Sequence, residues 1–220
     1  MKAFLPLLII VLFSCKSGSN HQQAEATNHS DSIKADSSLT ISSVSPFLAE
    51  FKSKSDSMVL NLGSEQLLVS PLGKVFKNNK MLFNVNSKLP ISKLYIHPSG
   101  TDFIVFYEYK DAGGAGSHAK RFSANKSAVW ETPVYAFNLS QPLIVGDYAY
   151  MSTMVFLGKL NLNDGKYAWK FENLDKKFES FSQPKFLKDS LVLFMQNANS
   201  QIAGSILIDD KNGVIVKINM

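Results

Sequence analysis

The sequence predicts an all-β domain assembled from repeated antiparallel four-stranded units. Three observations carry that prediction. Short runs rich in aromatic and β-branched residues recur at 103–107 (FIVFY), 148–151 (YAYM) and 191–194 (LVLF). Turn formers precede each of them, at 98–102 (PSGTD), Asp147 and Asp189, as strands bounded by tight turns require. No stretch of the domain sustains a 3.6-residue apolar period, so little helix is expected.

The units recur together with their surroundings. Residues 140–147 (SQPLIVGD) are echoed at 182–189 (SQPKFLKD), and each copy leads into an apolar strand and then a polar-tipped hairpin, at 160–169 (LNLNDGKYAW) and 207–216 (LIDDKNGVIV). Asp164-Gly165 and Asn212-Gly213 supply the positive φ angles that tight hairpins need. A weaker copy at 121–130 (RFSANKSAVW) lacks the glycine and carries Trp130 where the next copy has Trp169. Aromatic rings bury large apolar areas, so these matched tryptophans predict packing of unit on unit rather than a ligand platform. Residues 53–92, where 67–69 (LLV) and 81–83 (MLF) flank Pro71-Leu72-Gly73, supply one further, degenerate unit.

A four-stranded unit of about 40–45 residues is the size of one propeller blade. Residues 160–169, a strand ending in Asp-Gly-Lys followed by a strand carrying Trp, resemble the closing hairpin of PQQ-like propeller repeats. Residues 97–106 (HPSGTDFIVF) similarly resemble the Pro-x-Gly hairpins of other propellers. The likeness spans 93–220 and implies propeller-like repeats, a small or incomplete β-propeller of roughly four blades. The same hairpin signals also fit a β-sandwich. Propellers that hold the quinone add cofactor-stacking groups, calcium ligands and often a vicinal cysteine pair. None is recognisable here, so the resemblance implies an architecture, with no cofactor and no oxidoreductase activity. An open arc of blades leaves edges to be covered, either by a strand from residues 40–52 or by a second copy in a homo-oligomer.

The N-terminus has a separate logic. Met1 and Lys2 form a positive n-region, 3–13 (AFLPLLIIVLF) is an apolar core too short to span a bilayer comfortably, and Ser14 precedes Cys15. The ending Leu12-Phe13-Ser14-Cys15 resembles a lipobox, which implies a signal peptide over 1–14 and acylation of Cys15. Each acyl CH2 in lipid contributes about 0.8 kcal/mol, so several chains hold a domain at a membrane. Cys15 is the only cysteine. Once it is acylated, no thiol is left for a disulfide, a nucleophile or a zinc ligand. Residues 15–45 are polar and read as a flexible tether, and 46–220 as the folded domain. Lys16 lacks the Asp that resembles an inner-membrane retention signal, and the tether lacks an early acidic run of the kind seen in surface-exported lipoproteins. An outer-membrane, periplasm-facing location follows as an expectation. Asp31-Ser32-Ile33 resembles the Asp-Ser/Thr-apolar O-glycosylation sequon of Bacteroidota, which marks Ser32.

The net charge of +5 does not point to nucleic acid. Arg121 is the single arginine, and the lysines are scattered rather than gathered into a stripe. The most glycine-rich stretch, 111–118 (DAGGAGSH), lacks the helix start and Lys-Ser/Thr pair of a phosphate cradle. It reads as a long hairpin loop between Tyr109 and Arg121, and Tyr109, Asp111, Ser117, His118 and Arg121 are its candidate partner-binding residues. His97 reads as a partly exposed turn residue. Two isolated histidines make no metal site, and no Gly-x-Ser-x-Gly elbow suggests catalysis. Asp209-Asp210 at a hairpin tip reads as a pair of solvated turn carboxylates.

These features together lead to the expectation of a non-enzymatic lipid-anchored protein that binds or scaffolds a protein or other envelope component. An immunity or inhibitor protein that neutralises a toxin or hydrolase is the alternative. An enzyme or carbohydrate binder using the 110–120 segment is the third class. Replacing the lipidation site tests the anchor. Cys15→Ser is expected to abolish labelling by a palmitate analogue and to release the chain from the membrane fraction; unlabelled wild-type protein would contradict the assignment.

Overall fold

The computed structural model describes residues 43–219 apart from 45, 53–55, 63, 112–113, 173, 175–179, 188–189, 197–198 and 200. Cys15, Ser32, the signal segment and most of the tether lie outside the described residues. Among the described residues every regular element is a β-strand. Two short strands come first, β1 (Ser43–Val44) and β2 (Phe47–Glu50). Sheet 1 follows, with β3 (Met58–Leu62), β4 (Glu65–Val69), β5 (Lys74–Lys77) and β6 (Lys80–Asn84). Sheet 2 contains β7 (Ile91–Ser99), β8 (Asp102–Asp111), β9 (Gly114–Phe122) and β10 (Ala128–Val134). Sheet 3 contains β11 (Leu143–Val145), β12 (Tyr148–Ser152), β13 (Leu157–Asn161) and β14 (Tyr167–Phe171). Sheet 4 contains β15 (Ser180–Phe181), β16 (Lys185–Leu187), β17 (Ser190–Gln196), β18 (Ile202–Asp209) and β19 (Ile215–Asn219). Each sheet is an antiparallel meander. The degenerate unit expected from 53–92 is sheet 1.

Period-2 alternation decides how the sheets meet, because successive side chains on a strand point to opposite faces. Leu60, Leu67, Val69, Val75 and Phe83 of sheet 1 pack against Leu94, Ile96, Val105 and Phe122 of sheet 2. The opposite face of sheet 2, with Tyr95, Ile104, Phe106 and Ala119, packs against Ile144, Ala149, Met151 and Leu160 of sheet 3. Leu143, Tyr150 and Leu157 of sheet 3 then meet Leu191, Leu193, Met195, Ile206 and Ile208 of sheet 4. The sheets therefore stack in chain order through three successive interfaces. Each side chain buried there contributes about 1.5–3 kcal/mol.

The repeated sequence signals become repeated contacts. Trp130 of sheet 2 lies over the closing turn of sheet 3, where a Cβ on Gly165 would sit 2.6 Å from its ring. Trp169 of sheet 3 lies over the closing turn of sheet 4 in the same way, 2.6 Å from a Cβ built on Gly213. Each indole N–H donates to a carbonyl three residues before that glycine, Leu162 O at 3.2 Å and Asp210 O at 2.9 Å. Both glycines also hold positive φ, 70° and 73°. The closing turn of sheet 2 has no such glycine, and Lys126 takes the positive φ there. One sheet back, β6 carries no tryptophan to lie over that turn. The two Ser-Gln-Pro echoes also share a job. Gln141 donates to Pro46 O and Gln183 donates to Pro142 O.

The expectation that residues 40–52 cover an edge is met in sheets 2 and 3. β1 pairs with β11 and β2 pairs with β7, antiparallel in both cases. β1 falls within the stretch read as tether, so ordered backbone starts at least three residues before 46. Glu108 ties sheet 2 to the connection that leads into sheet 3. It is 4% exposed, and its carboxylate accepts the Leu139 N–H at 2.7 Å and the Ser92 hydroxyl at 3.0 Å. Glu108→Ala strands that buried N–H, so chemical denaturation should report a loss of about 2–3 kcal/mol, while Glu108→Gln, which keeps an acceptor, should cost less.

Candidate functional site

The segment read as a long loop is a strand. β8 and β9 pair from Phe103↔Phe122 to Asp111↔Gly114, so backbone pairing continues through the glycine-rich run. Gly116 is what lets it continue: a Cβ there would lie 2.5 Å from the Tyr109 hydroxyl. With only small residues at 112–116, a strand forms where composition suggested a loop. The cross-strand neighbour, not the local propensity, decides.

Strand alternation then divides the five candidate residues. Tyr109 and His118 lie on the face of sheet 2 turned toward sheet 1. The His118 ring stacks on Tyr107 at 5.4 Å and lies tilted to Tyr109 at 5.8 Å. Ser117 and Arg121 lie on the opposite face, toward sheet 3. Ser117 is 1% exposed, opposite Glu108, and its hydroxyl has no hydrogen-bond partner. Arg121 is a tie between sheets: Nε and Nη2 reach Asp102 at 2.9 and 2.8 Å, and Nη1 donates to Leu162 O at 3.0 Å. Its guanidinium is engaged at that junction. Asp111 is the last residue of β8.

Three further residues complete the Tyr109–His118 face. Glu131, from β10, accepts the Tyr107 hydroxyl at 2.9 Å and pairs with Lys120 at 2.9 Å. Lys120 also donates to Val85 O at 3.2 Å, in the connection between sheets 1 and 2. Its ammonium is largely buried, and pairing plus hydrogen bonding is what makes that burial tolerable. Burial raises the Glu131 pKa, but the hydrogen bonds from Lys120 and Tyr107 and the Lys120 charge outweigh it, so the carboxyl titrates below its ordinary value. His118 Nδ1 lies 3.3 Å from Glu131 Oε1 but without hydrogen-bond alignment. Burial, aided by Lys120 and opposed by Glu131, lowers the His118 pKa. The face thus presents a neutral imidazole between two phenol rings, beside a carboxylate already satisfied by its neighbours. That equipment suits stacking and hydrogen bonding to a ligand. Tyr107, Lys120 and Glu131 escape a local reading because three different strands bring them together, Tyr107 and Glu131 being 24 residues apart. Only the i, i+2 spacing of Tyr107/Tyr109 and His118/Lys120 hints at a shared face.

Two other expectations change. His97 is not a turn residue but a member of β7, half-buried, with Nδ1 unpartnered and its pKa lowered by burial. Asp210 is not simply solvated. Its carboxylate meets Lys159 at 3.0 and 2.9 Å, and that ammonium also sits 4.5 Å from the Tyr148 ring. The pair seals the junction of sheets 3 and 4, while Asp209 accepts the Lys211 N–H at 2.8 Å and the Asn212 amide at 3.2 Å within the turn itself. Among the described residues, no group of three or more His, Cys, Asp or Glu is placed to hold a metal ion. No helix among them is long and apolar enough to cross a membrane.

No protein-family model matches the chain, and no curated protein matches it.

The two depressed histidines make a pH prediction. The unfolded chain takes up protons near the ordinary 6.5, while the folded chain refuses them until lower pH. Folding stability is therefore whole above about 6.5 and falls as pH drops below it. A denaturation series from pH 7.5 to 5 should show that decline, and His97→Gln/His118→Gln should flatten it. An identical slope in the double variant would contradict the assignment.

Proposed function

We propose that this protein is a non-enzymatic binding module, anchored by an acylated Cys15 in the outer membrane and facing the periplasm, which holds a protein partner within the cell envelope. The observation that carries the reading is the free end of the β8–β9 hairpin. β8 pairs with β7 only as far as Tyr109, and β9 pairs with β10 only as far as Ser117. Beyond those points, 110–111 and 114–116 pair with each other as a two-stranded ribbon at the end of the sheet, and on its β8 side the Lys110 N–H also donates to Pro90 O at 3.4 Å. Its β9 edge is Gly114-Ala115-Gly116, with nothing larger than a methyl to obstruct an incoming strand. Such an edge suits β-strand addition, in which main-chain hydrogen bonds give affinity and neighbouring side chains give selectivity. Tyr109 and His118, next along the same hairpin, are suited to that second role.

The chemistry supports binding over turnover. The Glu131 carboxylate is occupied by Lys120 and Tyr107, and the acylated cysteine removes the only thiol. The tryptophan-on-turn contacts support the likeness to PQQ-type repeats in architecture alone. A tether between lipid and domain lets the ribbon search the space above the membrane without leaving it.

Affinity capture of the intact lipid-anchored protein from its own envelope, with mass spectrometry of the bound proteins, tests the reading. Ala115→Asp and Tyr109→Ala/His118→Ala should each reduce recovery of one specific protein by at least about tenfold. Equal recovery by wild type and variants would overturn the ribbon as the binding element.

A further inference from the structure

Three of the four sheets have a neighbour on the face that looks back along the chain, and three have one on the face that looks forward. The faces left over are the backward face of sheet 1 and the forward face of sheet 4. Both are apolar. On sheet 1, Val59, Leu68, Phe76 and Met81 stand in one cross-strand row, paired Val59↔Leu68, Leu68↔Phe76 and Phe76↔Met81. Val59 is 56% exposed, and Leu68 and Met81 are each 42% exposed. Asn61, Gln66 and Lys74 flank the row on the same face, so an apolar centre has a polar rim. On sheet 4, Val192 pairs with Leu207, with Phe194 beside them and Leu187 and Ile202 at 56% and 66% exposure. Among the described residues, no core cluster joins sheet 1 to sheet 4.

We propose that the chain is half of a ring, in which two copies join head to tail and the forward face of sheet 4 of each packs on the backward face of sheet 1 of the other. The argument for a second copy is continuity with the interfaces already inside the chain. The backward face of sheet 1 corresponds to the faces that sheets 2, 3 and 4 bury against the sheet before them. The forward face of sheet 4 corresponds to those that sheets 1, 2 and 3 bury against the sheet after them. A sheet 4 to sheet 1 junction therefore repeats a relation the chain makes three times. A heterologous contact of this kind leaves no free face only if it closes, and two copies bring the total to eight sheets, within the range of about four to eight found in closed rings of radial sheets. Closure within one chain would bury the very side chains that are exposed. The inference is separate from the ribbon on sheet 2, and its failure leaves that reading standing.

Sedimentation velocity on the full chain, purified from the membrane in mild detergent, is the test. Wild type is expected at twice the protomer mass. Leu68→Asp, on sheet 1, and Ile202→Asp, on sheet 4, are each expected to sediment as monomers, and an equimolar mixture should recover a dimer through its one intact junction. Met81→Lys and Leu187→Lys, also at exposed sites, replace them if either aspartate variant loses its far-ultraviolet β signature. A monomeric wild type overturns the proposal, as does an open series of larger oligomers. Dissociation by Leu68→Asp with none by Ile202→Asp overturns it too, since that pattern belongs to two copies joined sheet 1 to sheet 1.

Discussion

A tryptophan on the outer strand of one sheet, resting on the glycine turn of the next, is the contact on which the stacking of sheets 2, 3 and 4 depends. An isolated four-stranded meander has two apolar faces and no means of burying either. Trp130 over Gly165 and Trp169 over Gly213 fix where the following sheet lies and at what height, because the indole N–H must also find its carbonyl. Once that distance is set, the alternating aliphatic residues of the facing strands interdigitate. The requirement works back on the sequence: glycine appears in a closing turn only where a tryptophan precedes it by one sheet.

Buried cations hold each junction a second time. Lys120 pairs with Glu131 on the face of sheet 2 turned toward sheet 1, Arg121 pairs with Asp102 on its face turned toward sheet 3, and Lys159 of sheet 3 crosses to Asp210 in the closing turn of sheet 4. Each also donates to a main-chain carbonyl of the neighbouring sheet or connection. Removing the carboxylate leaves a buried charge on Lys120 or Lys159, so these pairs contribute more to the uniqueness of the stacking than to its free energy. They explain why the only arginine is spent on structure.

Much of the architecture was legible because its signals are local. Strand-length apolar runs, Asp-Gly and Asn-Gly turns and the spacing of the two tryptophans all act within one hairpin, and they lead to four antiparallel units stacked in order. The 111–118 segment was not legible. Glycine content argues for a loop, and only the Tyr109 ring lying over Gly116 shows why the strand needs a glycine at that position. The same limit hid Glu131, whose place beside His118 depends on the register of β10, including its irregularity between Ala128 and Trp130. Asp210 looked solvated because its partner Lys159 is on another sheet.

A chain built by repeating one junction has two unlike ends, an apolar row on sheet 1 and an apolar centre between lysines on sheet 4. That asymmetry and the ribbon of sheet 2 arise from the same plan, since sheets 2 and 3 spend both faces on their neighbours and have only their strand ends to offer to anything else. The central claim is that the tryptophan-on-glycine contact sets the stacking. A double-mutant cycle of Trp169→Ala and Gly213→Ala, read by chemical denaturation, tests it most directly. The account predicts that Gly213→Ala costs at least about 1 kcal/mol less in the Trp169→Ala background than in wild type, the remainder being the strain of alanine at positive φ. Costs that add to within about 0.5 kcal/mol would show two independent sites and contradict it.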